Sequence, residues 1–214
     1  MNVNVLLSRL ALYREVDKNT LHALGLGVYK NTLRVYIKES PKENVRDNKL
    51  VFNFGLVHMN ARLIAAELQT LNDQKEGYNK AFALYGRKFE NNQPVENERV
   101  LTATIGVARS KNKEGDVVNI LYVTNTAGTK YIFTLLPTPY VDVIEDGKLV
   151  SDKKKLSVIW TKAYSDTFNA VLNKIPEAIA QERPSTSNNS SYGNQSNPNA
   201  KPTLVSGTDL LDDL

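Results

Sequence analysis

Thr32-Leu33-Arg34-Val35-Tyr36-Ile37-Lys38 alternates apolar and polar side chains over seven residues. In a β-strand successive side chains point to opposite faces. The spacing therefore predicts a strand with Leu33, Val35 and Ile37 on one face and Arg34, Tyr36 and Lys38 on the other. The first set reads as core. The second places an aromatic ring between two cations, which suits an extended single-stranded nucleic acid: cations track the phosphates while bases stack on the ring, at about 1–3 kcal/mol per base. The ordinary alternative is the solvated outer face of an antiparallel sheet, where tyrosine is simply a good strand former.

On either side of this strand the chain continues in the same style. Residues 21–29 predict a strand, Lys30-Asn31 a turn, and residues 32–39 and 49–54 two further strands. After Gly55, the spacing of Ala61, Ile64, Ala65, Leu68 and Leu71 predicts a helix over 57–71. A comparable series follows, with strands at 100–109, 117–126 and 129–136 separated by the loop KNKEG (111–115) and the turn TAG (126–128). A short strand at 140–144 is expected before the turn Glu145-Asp146-Gly147. The apolar run 156–160 then leads as a strand into a second helix, about 161–180, with Ala163, Phe168, Val171, Leu172 and Ile175 buried. Pro176 is expected to kink or end the first part of that helix. Residues 3–16 and 80–89 fit either helix or strand. The fold class is thus α+β: antiparallel sheets with two helices, in a strands-then-helix order that occurs twice. The halves share the order of their elements but no residue-level identity.

Composition narrows the chemistry. The 214 residues are 41% hydrophobic and 23% charged, ordinary globular usage and enough for one sizeable core. The absence of cysteine removes disulfides, thiol nucleophiles and thiolate metal sites. His22 and His58 are too isolated for a metal site. The N-terminus lacks a signal-peptide pattern and no window has the length of a membrane span, so a cytoplasmic address is expected, with no membrane partner.

Net charge is +4, unevenly spread. Residues 183–214 hold Arg183 and Lys201 against Asp209, Asp212 and Asp213, which leaves 25 of the 27 basic and 20 of the 23 acidic side chains in the body, residues 1–182. A basic body points to a polyanion partner. Residues 183–207 are dominated by Ser, Asn, Pro and Gly, which cannot bury enough apolar surface to offset their ordering entropy, and are expected to form a disordered linker. The last residues, 208–214, change character: Asp209, Leu210, Leu211, Asp212, Asp213 and Leu214 make an acidic, hydrophobic tip suited to docking a protein.

Other segments repeat the interleaving of rings and cations. Tyr29 and Lys30 precede the opening strand; Tyr85, Arg87, Lys88 and Phe89 follow one another closely; Arg109, Lys111 and Lys113 crowd a hairpin loop; Lys130 stands next to Tyr131. All join Arg34, Tyr36 and Lys38 as candidate nucleic-acid contacts. Trp160 reads as core, and Lys153, Lys154 and Lys155 as a solvated loop. No phosphate-binding loop, dinucleotide fingerprint or nucleophile elbow is present; Gly25 and Gly27 lack the third glycine. The strongest catalytic alternative is Asp142, Glu145, Asp146 and Lys148, as a metal site for phosphodiester cleavage, although the same residues form an ordinary turn. No catalysis and no cofactor are expected.

The basic body, linker and acidic tip together resemble bacterial and phage single-stranded DNA-binding proteins. In that family a Gly/Asn/Gln/Ser/Pro-rich linker carries a short acidic, hydrophobic tip that docks replication, recombination and repair proteins. Here the tip ends in Leu214, where the common bacterial version ends in Pro-Phe. The body is similar instead to the whirly family, in which helices pack against two sheets that are presented to the strand; an elaborated OB-fold is the alternative. The resemblance implies a non-catalytic protein that coats single-stranded DNA and recruits partners through its tip, and self-association into a homo-oligomer is compatible with it. An RNA-binding protein with the same surface, a metal-dependent nuclease and a scaffold that meets an acidic protein are the competing readings.

Overall fold

The computed structural model describes residues 10–29, 32–91, 93–137 and 141–181, with position 29 and positions 176–181 described by backbone alone. Lys30, Asn31 and Tyr140 lie outside them, as do the expected boundary at residue 182, the linker 183–207 and the tip 208–214.

The chain is α+β. Strands β1 (Leu12–Glu15), β2 (Thr20–Tyr29), β3 (Thr32–Pro41) and β4 (Lys49–Leu56) form a first antiparallel sheet in sequential order, followed by helix α1 (His58–Thr70). Strands β5 (Tyr78–Glu90), β6 (Gln93–Lys111), β7 (Val117–Thr124) and β8 (Lys130–Thr134) form a second, also sequential. A two-stranded hairpin, β9 (Ile144–Glu145) and β10 (Lys148–Leu149), then precedes helix α2 (Lys153–Gln181). Residues 12–15 and 80–89, which fitted either type, are strand. Among the described residues no helix is long and apolar enough to cross a membrane.

Alternation does what the pattern of β3 requires: Leu33, Val35 and Ile37 are buried, while Arg34, Tyr36 and Lys38 are partly exposed on the opposite face. The buried faces of both sheets share one core with α1 (Ala61, Ile64, Ala65, Leu68) and α2 (Tyr164, Phe168, Val171, Leu172, Ile175). Trp160 packs against that core. The helices run antiparallel, Asn72 reaching Val158 at one end and Arg62 reaching Asn173 at the other. Asn112 shapes the 111–115 loop by accepting the amides of Glu114 and Asp116, and Asn125 does the same for Ala127 and Thr129 in the next turn.

Several expectations for the C-terminal part are corrected. Residues 156–160 are not a strand, and Lys153–Lys155 are not a loop. Asp152 Oδ1 accepts the amides of Lys154 and Lys155, so it caps α2 four residues before the apolar run. This earlier start sets the buried face at Ser157, Thr161, Tyr164, Ser165 and Phe168 and leaves Ala163 exposed. Of the two outcomes expected at Pro176, a kink or an end, the second does not occur: the helix runs on to Gln181. Of the described residues 141–144, only Ile144 is in a strand; the turn beyond it has Asp146 at φ 50° and Gly147 at φ 75°, the left-handed pair that closes a two-residue hairpin.

The strand register sets similar residues at equivalent places in the two halves, which the linear sequence does not show. Gly25 pairs with Tyr36 across β2 and β3, and Gly106 pairs with Tyr122 across β6 and β7. One column along, Val35 pairs with Phe54 and Leu121 with Phe133. In the next, Ile37 pairs with Phe52 and Val123 with Tyr131. The core side of each sheet thus repeats the pairing of an aliphatic residue with an aromatic one. Linear comparison misses this because the connections differ in length, most of all the insertion that carries β9 and β10.

Candidate nucleic-acid interface

The outer face of the first sheet is built on three glycines. Gly25 and Gly27 on β2 and Gly55 on β4 flank Tyr36 and Arg34 on β3. A Cβ at Gly27 would meet Tyr36 Cε2 at 2.9 Å, so the ring reaches over Gly27 in the space that a side chain there would fill. A Cβ at Gly25 would have nothing within 4 Å. Glycine inside a strand weakens it and commonly marks a close approach of another group. Here one glycine admits the ring and the other leaves an open floor beside it. Arg34 Nη1 donates to Asn53 Oδ1 at 3.1 Å, and Asn53 is the residue paired with Tyr36 across β3 and β4. Lys38 has no ion-pair partner among the described residues. Tyr13, exposed on β1 opposite Ala23, extends the face by another ring. Tyr29 ends β2 opposite Thr32, at the edge of the same surface.

The equivalent face of the second sheet has diverged. At the positions of Arg34, Asn53 and Gly27 stand Ile120, Ile132 and Ala108. Together with Val118 and Leu136 they form a second apolar cluster around Tyr122, which is 1% exposed. The Tyr122 hydroxyl donates to Asn79 at 2.7 Å, and Lys130 Nζ sits 4.7 Å from the ring centroid. Lys130, an expected nucleic-acid contact, therefore caps a ring.

The remaining candidates separate. β6 pairs with β7 only from Thr104 onward, so β5 and β6 continue as a two-stranded ribbon past the sheet. Tyr85, Arg87, Lys88 and Phe89 lie on this ribbon. Arg99 places its guanidinium 4.4 Å from the Tyr85 ring centroid, and Arg87 stands opposite Arg99. Phe89 is 62% exposed. Lys88 pairs with Glu98 at 2.6 Å and Glu90 at 2.9 Å, which hold its ammonium protonated well beyond the ordinary lysine range. Lys111 pairs with Glu76 at 3.0 Å, and Lys113 is exposed in its loop.

Arg109 is not on the surface. It is 6% exposed and donates to Asn119 Oδ1 at 2.9 Å; Asn119 in turn donates to Asn72 and Thr161. Asn72 belongs to the turn that ends α1, so the guanidinium lies by the partly negative end of that helix. The parity of β6 explains the correction: Ala103, Ile105, Val107 and Arg109 share the inward face.

At the alternative catalytic cluster, Glu145 is ion-paired with Lys155 and Asp146 occupies the hairpin turn. Among the described residues no group of three or more acidic or histidine side chains could hold a metal. Sequence reasoning missed Asn53, Tyr13 and Arg99. Asn53 was legible, since Asn53 and Gly55 alternate with Phe52, Phe54 and Leu56; Arg99 lay one residue outside the expected strand. Neither a protein-family model nor a curated sequence matches the chain.

Proposed function

We propose that this protein binds single-stranded DNA without catalysis, on the outer face of its first sheet. The observation that carries the reading is the partly exposed Tyr36 ring packed in close over Gly27, on the strand face that also holds Arg34 and Lys38. Flat rings beside cations accept stacked bases and adjacent phosphates without regard to sequence. The divergence of the repeat favours this sheet: its counterpart exchanged the arginine, asparagine and glycine for apolar residues. The two four-stranded meanders, each followed by a helix, favour a whirly-like domain over a five-stranded OB barrel. On this reading the acidic tip recruits replication or recombination proteins.

The test is titration of labelled oligo-dT and oligo-U with wild type and Tyr36→Ala. Wild type should bind oligo-dT with an affinity that falls steeply with salt, with a slope near −0.7 per phosphate neutralised. Tyr36→Ala should weaken binding about five- to a hundredfold, the range that 1–3 kcal/mol of stacking gives. Salt-independent binding, or an unaffected variant, would refute the assignment; preference for oligo-U would make the ligand RNA.

A further inference from the structure

Helix α1 is apolar on two sides. Its inner face, Ala61, Ile64, Ala65 and Leu68, is buried in the core. Its solvent side carries Met59, 67% exposed, and Leu63, 51% exposed, one turn apart, with exposed Ala66 a turn further on and Val57 just before the helix. A helix that is apolar on both sides ordinarily has a partner on each. The stripe's surroundings are basic. Arg62 hydrogen-bonds to His58 and Asn173 and has no carboxylate partner among the described residues; exposed Lys174, next to Asn173 on α2, likewise has none. No side chain caps the start of α1 and no acidic residue stands in its first turn, so its partly positive end is uncompensated.

The chain itself contains a segment of complementary chemistry. Asp209, Asp212 and Asp213 alternate in groups with Leu210, Leu211 and Leu214. The place from which that segment starts also fits. Because α2 runs antiparallel to α1, with Asn173 at Arg62, its continuation to Gln181 carries the backbone past the first turn of α1. Residues 182–207 then intervene before the tip. A coil of that length spans about 28 Å, more than the roughly 20 Å of a 13-residue helix.

We infer that the stripe Met59–Leu63–Ala66 on α1 is the docking seat of the chain's own C-terminal tip, its leucines on the apolar stripe and its aspartates toward Arg62, Lys174 and the start of the helix. The seat is on the helical layer, not on the Tyr36 face, so occupancy leaves the proposed DNA surface open. An external protein that takes the tip must compete with this seat.

The two methionines of the chain are Met1 and Met59, so methyl-¹³C-methionine NMR of the full-length protein reads the seat directly; Met59→Leu assigns the signal. The triple variant Leu210→Ser, Leu211→Ser, Leu214→Ser should shift the Met59 signal by more than its linewidth with no change in Tm. A synthetic peptide of residues 206–214 should return it to the wild-type position, and should fail to do so when Arg62→Glu is added to the variant. The wild-type position should persist on tenfold dilution and on saturation with oligo-dT. An identical Met59 signal in wild type and triple variant overturns the inference. A wild-type signal that changes on dilution overturns it in favour of a second copy on the stripe, and one displaced by oligo-dT overturns it in favour of a tip resting on the DNA face. Oligo-dT affinity measured on the same samples tests the DNA reading separately.

Discussion

Tyr36 lies across Gly27, and Gly25 next along the same strand faces empty space. The two glycines therefore have separable roles. Gly27→Val should lift the ring off the sheet and weaken oligo-dT binding about five- to tenfold, near the low end of one lost stacking contact. Gly25→Val should leave Tyr36 in place yet weaken binding by filling the open floor. Tyrosine quenching on titration distinguishes them, because only the first variant should lose quench amplitude. Full binding by both variants would remove the glycine floor from the interface.

Leu33 and Tyr36 stand three residues apart on opposite faces of β3. Leu33→Ala should cost about 2–5 kcal/mol in urea unfolding, as expected for a buried leucine, whereas Tyr36→Ala should stay close to wild type. The reverse order would mean that the faces have been exchanged.

Gly106 repeats the Gly25 position in the second sheet under different constraints. A Cβ there would meet the Tyr122 ring at 2.5 Å and the Lys80 carbonyl oxygen at 2.8 Å, and a backbone atom cannot swing away. Gly106→Ala should destabilise the fold by about 1–3 kcal/mol and leave oligo-dT affinity of the folded fraction unchanged, as thermal unfolding and titration together would show.

The buried arginine gives a contrast with the surface cations. Arg109→Met removes the donor to a fully buried Asn119 oxygen, which should cost about 1–3 kcal/mol, again with no loss of affinity in the folded protein. A selective loss of oligo-dT binding would return Arg109 to the interface.

Glu67 links stability to pH. Burial pushes its carboxyl up, but hydrogen bonds from Lys80 and Tyr78 outweigh that and hold it below the ordinary 4.5. A carboxylate with a depressed folded pKa contributes stability that is complete above its unfolded value and is lost as pH falls through the folded one. The difference in urea midpoint between wild type and Glu67→Gln should therefore be largest near pH 6 and shrink below about 4.5. A difference that stays constant down to pH 3 would show that Glu67 acts by packing alone.

Much of this architecture is legible in periodicity. β3 and α1 follow their apolar spacing closely because each buries one face against a single core. The beginning of α2 was obscure for a physical reason: Leu156, Val158, Ile159 and Trp160 form a run that suits a strand as well as a helix, and the Asp152 cap that decides the matter lies before three lysines that resemble a loop. The candidate site divides in the same way. Alternation identifies Arg34, Tyr36 and Lys38, and along β6 it sets Arg109 with Ala103, Ile105 and Val107 on the buried side; that Lys130 settles over Tyr122 is a contact across strands that no local pattern shows. The repeat stayed hidden because it is a property of paired columns across strands and not of consecutive residues.

Those paired columns also bear on the order of assembly. Within each four-stranded sheet, every strand bonds to the one before or after it in the chain, so loop closures are short and sheet formation should be quick for a protein so rich in β structure. The opposite holds for closing the core. The Tyr164 hydroxyl donates to the Leu10 carbonyl across 154 residues, and Asn119 bonds to Thr161 across 42. The separations therefore predict that the two meanders form before α2 docks, and that their apolar faces are covered only when it does.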